Sequence, residues 1–345
     1  MKILFLLSSN RYSGAENVVC QIAAMFRDQD DMELIYCSPD GEIRSALLER
    51  NIAFYPIFDI TVSEVRRAIK TIKPDIVHAH DMRASFIAAL ACGKTPLVSH
   101  IHNNAFDARK ISPKSLAYLY AGCKAKHIFW VSQSSYDGYI FHRLFKAKSE
   151  VLYNIIDVDK LYEKMNSDVD EYFYDVVYLG RLTYQKNPHR LLEVFSKVLS
   201  KRKSTKFAVI GTGELFNEIK ELAEQLNIAN DIDFLGFQSN PLKILHSAKV
   251  MVMTSRWEGT PMCALESLAL GVPIVSTPVD GLKDLVVDDI NGYISDDDEI
   301  VAQKIVDILN DPELHEKLSA NAKAKSLKIN DTNDYKHAIY NAYVK

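Results

Sequence analysis

Short apolar runs recur along the chain with amphipathic stretches between most of them. In the first half the runs fall at residues 3–7, 33–37, 53–56, 76–80, 97–100, 127–131 and 150–152. In the second they fall at 175–179, 206–210, 231–235, 250–254 and 273–276, with helical patterns around 187–201, 213–226, 240–247, 260–270 and 299–309. Strand alternating with helix predicts parallel sheets wrapped by helices, with ligands at the carboxyl ends of the strands. The pattern occurs twice. Residues 153–171 lie between the halves, polar, acid-rich and without a clear period, and read as a linker. The division expected is 1–155, 156–330 and a carboxyl-terminal helix in 331–345 that packs back toward the first domain.

Size and composition narrow the class. A chain of 345 residues exceeds what one core usually serves, so two domains are the default. With 48% hydrophobic and 25% charged residues it has the balance of an ordinary soluble protein, and a net charge of −4 speaks against a nucleic-acid partner. The five cysteines, Cys20, Cys37, Cys92, Cys123 and Cys263, are scattered and form no CxxC pair. They read as reduced thiols of a cytoplasmic protein rather than as zinc ligands. The run after Met1-Lys2 is too short for a signal peptide and lacks a cleavage site, so it reads as the first buried strand. No apolar stretch approaches the ~20 residues that span a bilayer.

The chemistry concentrates between Thr254 and Gly281. A strand ends there in the polar turn Ser255-Arg256-Trp257-Glu258-Gly259; Thr260 reads as the N-cap of a helix with Pro261 at its first position, stopped by Gly271 and Pro273. Glu258 then lies in the loop and Glu266 in the second helical turn. The free amides at Met262 and Cys263 suit an anion. Carboxylates repel phosphate, so their partners would be hydroxyls; a ligand with hydroxyls at both ends and phosphates between is a nucleotide sugar. The bland alternative is a surface helix with one exposed acid and one acid favoured by the helix dipole. Upstream, Gly180 to Asn187 leads from a strand to a helix and carries Arg181 and Lys186. Two cations are poorly placed at a helix start unless an anion joins them, and such a pair could neutralise a leaving diphosphate without a metal.

Other signals are weaker. Ser8 to Glu16 joins a strand to a helix and could rest a phosphate on its amides, but it lacks the G-x-G-x-x-G of a dinucleotide site. Gly211-Thr212-Gly213 has Phe216 at the third glycine position and reads more readily as a tight turn. His78 and His80 end one strand, and His100 and His102 another, each pair on one face. Three readings stay open: a transition-metal site with Asp81 as a fifth ligand, buried histidines bonded to backbone, or one histidine donating to a reacting sugar.

Taken together, the E-x7-E spacing from Glu258 to Glu266, the Gly180-Arg181-Leu182 loop with Lys186 and the Ala269–Val275 run A-L-G-V-P-I-V resemble retaining glycosyltransferases of family 4. So do Ser13-Gly14-Ala15-Glu16, the strand end from Pro96 to His102 and Asn154-Ile155-Ile156-Asp157. The resemblance implies an α/β GT-B fold, two Rossmann-like doubly wound parallel-sheet domains facing across a cleft. The first would bind acceptor and the second the nucleotide sugar. It implies that Arg181 and Lys186 bind the donor diphosphate, Glu266 the ribose and Glu258 the sugar hydroxyls. The backbone of Gly259, Thr260, Pro261 and Met262 would hold sugar and phosphate, Gly14 would approach the β-phosphate, and His102 would touch the sugar near its reacting carbon. Gly211 and Phe237 complete the expected donor contacts. Where the family often has paired glycines, this chain has Ser13-Gly14 and Gly281-Leu282.

The activity so implied moves a hexose or N-acetylhexosamine, from a UDP-linked donor, to a saccharide or lipid-linked saccharide in surface polysaccharide synthesis, with no metal and no cofactor. The alternatives are a phosphorylase, for which no lysine has a convincing pyridoxal setting, a nucleotide-sugar epimerase, and a non-catalytic sugar-nucleotide-binding subunit. From Asn104 to Glu150, eight Lys or Arg residues stand against Asp107, Asp137 and Glu150, with Tyr118, Tyr120, Tyr139, Phe141 and Phe145 among them. That stretch fits either peripheral attachment to an anionic membrane, at its cytoplasmic face, or a solvated face over core aromatics.

Overall fold

The computed structural model describes residues 1–29, 31–102 and 106–344. Its contacts divide the chain into two compact units, Met1–Ile155 with Asp331–Lys345, and Ile156–Asn330. The first unit holds β1 (Lys2–Leu6), β2 (Glu33–Pro39), β3 (Ala53–Ile57), β4 (Ile76–His80), β5 (Leu97–Ile101), β6 (His127–Trp130) and β7 (Ser149–Val151). The second holds β8 (Val176–Leu179), β9 (Phe207–Ile210), β10 (Ile232–Gly236), β11 (Val250–Met253), β12 (Ile274–Ser276) and β13 (Gly292–Ile294).

Both sheets are parallel throughout. Their orders are β3-β2-β1-β4-β5-β6-β7 and β10-β9-β8-β11-β12-β13. In each, the chain runs outward to one edge, returns to the middle and runs out the other way. The winding reverses between β1 and β4 in the first sheet and between β8 and β11 in the second, and at such a point adjacent loops diverge and leave a crevice at the carboxyl ends.

Residues alternate across each strand, so each central strand feeds two cores. In the second unit Val176, Tyr178, Val250 and Val252 pack on one face with the helices Pro188–Lys201 and Asp298–Asn310. On the other face, Val177, Met251 and Met253 pack with the helix Met262–Leu270. In the first unit Val77 and Ala79 of β4 enter the apolar cluster, which puts His78 and His80 on the opposite face. The helix Thr332–Val344 closes over that side. Tyr343 donates to or accepts from His78 Nδ1 at 2.7 Å, lies 6.4 Å from Phe26 ring to ring, and its carbonyl accepts from Lys126 Nζ.

Some elements differ from the reading of the sequence. Part of the expected linker is the helix Val158–Asn166, started by the Asp157 side chain, which accepts from the Lys160 amide at 3.1 Å, and anchored by buried Leu161 and Met165. Two apolar anchors in nine residues leave little periodicity to see. The helices Asp280–Leu285 and Pro312–Ile329 and the three-residue β13 also went unread, being short or, for Pro312–Ile329, buried only at Leu318, Ala322 and Ser326. The helix expected to begin at Pro261 begins at Met262, with Pro261 as the extended cap residue (ψ 125°) and Thr260 outside it.

Candidate functional site

The loops after β8 and β11 leave the second sheet at its point of reversal, and they are laced together. The Arg256 amide donates to the Gln185 carbonyl at 2.8 Å, Gln185 Nε2 to the Trp257 carbonyl at 3.0 Å, and Arg256 Nη2 to Asn187 Oδ1 at 2.9 Å. Asn187 itself is buried and left-handed (φ 54°), and its carbonyl accepts from Thr254 Oγ1 at 3.1 Å. This lacing fixes where Lys186 and Glu258 point.

They point at each other. Lys186 Nζ donates to Glu258 Oε1 at 2.6 Å, and Ser255 Oγ donates to the same oxygen at 2.6 Å. Glu258 is only 4% exposed. Burial works against the Lys186 ammonium, but the Glu258 carboxylate outweighs it with help from the Cys263 side, and the Lys186 pKa lies above its ordinary value. The result is a buried ion pair. Arg181 stands exposed on the same loop and makes no ion pair among the described residues. Glu266 is half-buried in the helix that follows; burial raises its pKa and the Lys164 charge partly counters that.

The glycines around these loops are required by close backbone approach. A Cβ on Gly211 (φ 129°) would lie 2.0 Å from the Gly180 carbonyl oxygen, and one on Gly213 2.2 Å from that of Leu182. The turn between them seats the loop after β9 on the loop after β8, with the Leu182 amide donating to the Thr212 carbonyl at 2.9 Å. A Cβ on Gly281 would lie 1.2 Å from the Gly259 oxygen, so the helix Asp280–Leu285 presses directly on the turn after Glu258. Leu282, where the family often has a second glycine, is fully buried in the core. Phe237, just beyond β10, is 76% exposed.

Gly14 and His102 belong to the first unit. Gly14 opens the helix Gly14–Met25, and no atom lies within 4 Å of where its Cβ would be. Ser13 caps that helix, its amide and hydroxyl both donating to the Glu16 carboxylate. His102 follows β5; its amide donates to Asp81 Oδ1 at 3.1 Å and its Nε2 pairs with His80 Nδ1 at 2.7 Å. Its other ring nitrogen, Nδ1, is covered and has no partner among the described residues. His78, His80, His100 and His102 form a stack, with ring centroids 4.4 Å apart for His78 and His80 and 4.3 Å for His100 and His102. Burial holds His78 and His102 near a pKa of about 3 and the other two well below 6.5, so all four are neutral. Ligand atoms of His78, His80 and His100 lie within 4.8 Å of one another. However, the rings of His78 and His100 are 8° from parallel, whereas an ion bound by both must lie near the plane of each, so sharing one would require them to turn.

The donor residues expected from the sequence thus gather on the loops after β8, β9, β10 and β11, while Gly14 and His102 lie on the first sheet's loops. Sequence reading missed Ser255, Arg256 and Gln185, which fix Glu258 and its loop. A faint signal was available: Ser255 precedes Glu258 by three residues, the spacing at which a hydroxyl and a carboxylate meet in a turn.

Comparisons with known proteins bear on the family and the fold. The family model for glycosyltransferase family 4 matches residues 12–160, and that for glycosyl transferases group 1 matches residues 160–325. An uncharacterised glycosyltransferase of Methanocaldococcus jannaschii is 30% identical over 62% of this chain and 58% of its own length. The GalNAc-alpha-(1->4)-GalNAc-alpha-(1->3)-diNAcBac-PP-undecaprenol alpha-1,4-N-acetyl-D-galactosaminyltransferase of Campylobacter jejuni is 27% identical over 94% of this chain and 93% of its own. The UDP-Gal:alpha-D-GlcNAc-diphosphoundecaprenol alpha-1,3-galactosyltransferase of Escherichia coli is 25% identical over 82% and 80%. Among solved structures, Anabaena Alr3699/HepE in complex with UDP superposes with a TM-score of 0.84 at 21% identity, covering 99% of both chains. With the two models dividing residues 12–325 between them at the boundary of the two parallel-sheet units, the chain belongs to glycosyltransferase family 4 and is a glycosyltransferase of the GT-B fold.

Proposed function

We propose that the protein is a retaining, metal-independent hexosyl- or N-acetylhexosaminyltransferase that uses a UDP-sugar and a saccharide or lipid-linked saccharide acceptor in surface polysaccharide synthesis. The observation that carries this reading is the Lys186–Glu258–Ser255 cluster at the second sheet's point of reversal. Arg181 and Lys186 supply the positive charge that a divalent ion supplies elsewhere, and the amides at the start of the helix Met262–Leu270 extend it. Glu258 takes the sugar hydroxyls and Glu266 the ribose. Reaction on one face, with the departing phosphate oxygen accepting the acceptor's proton, needs no protein nucleophile and gives retention. The relatives support the donor and acceptor classes: two are named for diphosphoundecaprenol acceptors and α-linked products, and Alr3699/HepE was crystallised with UDP-glucose.

We place the enzyme at the inner membrane surface through the basic stretch of the first unit. Asn104, where that stretch begins, lies outside the described residues. Within it Tyr118, Tyr139 and Phe145 are core residues, and Lys126 and Lys148 donate to backbone carbonyls. Exposed Ile111, Leu116, Tyr120 and Leu144 remain beside exposed Lys110, Lys114, Lys124, Arg143 and Lys146. No helix among the described residues is long and apolar enough to cross a membrane. The test of the whole reading is turnover of a panel of nucleotide sugars by purified protein with and without EDTA. Transfer with retention that survives chelation is expected; a requirement for added divalent ion, or epimerised donor as product, would overturn it.

A further inference from the structure

A cavity of about 520 Å³ opens in the first unit, lined by Asp81, Met82, Arg83, Phe86, Ala108, Pro113, Lys114 and Ala117. Its walls come from the first turns of the helices Asp81–Ala91 and Pro113–Lys124, so it lies at the carboxyl edge of β4 and β5, where parallel sheets receive ligands. The volume is that of a small-molecule site.

Its chemistry is divided. Met82, Phe86, Ala108, Pro113 and Ala117 make most of the wall apolar, and the apolar stripe continues outward. Tyr120, one helical turn past Ala117 and 41% exposed, meets Phe86 edge to face at 6.3 Å. Arg83 and Lys114 stand exposed at the rim. Among the described residues each pairs with a surface carboxylate, Arg83 with Asp59 at 3.8 Å and Lys114 with Asp107 at 2.8 Å. Exposed pairs of that kind contribute little and exchange readily for a stronger anion. Asp81, the one carboxylate in the wall, is turned to the His102 amide and held at a left-handed φ of 69°. Strain of this sort in a residue other than glycine gathers at ligand sites.

We propose that this cavity holds the apolar chain of an amphiphilic, phosphate-bearing acceptor, with Arg83 and Lys114 against the phosphate. The proposal rests on the acceptor half of the function proposed above and commits it to lipid-linked acceptors. A free saccharide would leave the wall of Met82, Phe86 and Ala117 unmatched, and a bare phosphate would have no use for it. The two relatives named for diphosphoundecaprenol acceptors carry the same combination of chain and phosphate.

The test is calorimetric titration of the full chain with butyl, octyl and dodecyl phosphate, each kept below its micellar concentration, with UDP titrated into the same preparations. Affinity is expected to rise with chain length by up to about fourfold per methylene, the equivalent of ~0.8 kcal/mol per buried CH₂. Ala117→Trp should abolish that dependence and Met82→Gln should reduce it, both with the far-ultraviolet circular dichroism and the thermal melt of the first unit unchanged as evidence of folding. R83E with K114E should weaken the alkyl phosphates by tenfold or more on the order expected for losing two charge-assisted contacts, while leaving neutral alkyl glucosides unaffected. Affinity independent of chain length in the wild type, or a dependence that survives in both Ala117→Trp and Met82→Gln, would overturn the proposal. Failure of UDP-sugar turnover with the chain dependence intact would instead count against the enzymatic reading alone.

Discussion

Replacing His100 by leucine should make the first unit more resistant to mild acid, and the size of the effect follows from the histidine stack. His78, His80 and His100 are at most 1% exposed, and burial holds their pKa values far below 6.5. Each ring is neutral in the folded chain and takes up a proton on unfolding at any pH below its unfolded value. A depressed folded pKa contributes stability that is complete above about pH 6.5 and is lost as pH falls toward the folded value, about 3 for His78 and His102. One unit below the unfolded value, near pH 5.5, each ring has withdrawn a little more than ~1 kcal/mol, and the four together, with His102, roughly 5–6 kcal/mol. Whole domains are held by only ~5–15 kcal/mol. Asp81 runs the other way, because burial raises its pKa to about 6 and its protonation below that favours the folded state.

His100 is the informative position because neither of its ring nitrogens has a hydrogen-bond partner among the described residues, so leucine removes no bond. The two tryptophans make the measurement specific: Trp130 is buried in the first unit and Trp257 lies in the second. Denaturant titrations near pH 7.5 and 5.5, followed by Trp130 fluorescence in a Trp257→Phe background, give the stability of the first unit alone. The wild type should lose roughly 5–6 kcal/mol between the two, less what Asp81 returns, and His100→Leu should lose about a quarter to a third less. Equal wild-type stability at the two pH values, or an unchanged slope in His100→Leu, would refute neutral burial of the stack.

Four further outcomes follow from the second unit and the basic stretch. Glu266→Ala should raise the donor KM and weaken UDP binding measured by calorimetry, whereas Glu258→Gln should lower kcat by about 10²-fold, the scale of a lost electrostatic stabiliser. Gly281→Ala places a methyl group against the Gly259 carbonyl, so it should displace the Gly259–Met262 backbone and raise the donor KM at a stability cost of ~1–3 kcal/mol seen in thermal melts. Co-sedimentation with anionic but not neutral liposomes, lost at high salt, is expected of the basic stretch; binding indifferent to lipid charge would remove the membrane proposal.

The parallel-sheet architecture was legible because buried strands write themselves as apolar runs; twelve of the thirteen strands could be placed, and the exception, Gly292–Ile294, offers three residues and no period. Arg181 and Lys186 were visible as two cations poorly placed at a helix start, and Glu258 and Glu266 as two carboxylates in the loop and second turn of another helix. What could not be read was partnership. Nothing in the spacing of Lys186 and Glu258, 72 residues apart, says that their side chains meet at 2.6 Å; that depends on β8 and β11 being neighbours, a fact of strand order rather than of local sequence. The same holds for Gly211 and Gly281, whose reason is a carbonyl from another loop. Two histidine pairs were visible, but their merging into one stack follows from His80 lying opposite His100 in the register of β4 and β5.

The Lys186–Glu258 pair bears on how a site with two carboxylates can receive a diphosphate. Without donor, a buried ammonium alone would be costly, and so would a buried carboxylate; paired at 2.6 Å with Ser255 as a second donor to Glu258, each stabilises the other. In the proposed complex the diphosphate becomes the counter-charge of Lys186, and Glu258 turns to the sugar hydroxyls while keeping Ser255. The number of buried charges without a partner is then the same before and after binding. That accounting explains why the loops are laced so firmly through Gln185, Arg256 and Asn187: the exchange works only if Lys186 and Glu258 stay within reach of both partners. The same proposal gives exposed Arg181 its part. A cation that is already in water can meet the diphosphate first, and the buried pair needs to reorganise only once the ligand's charge has arrived.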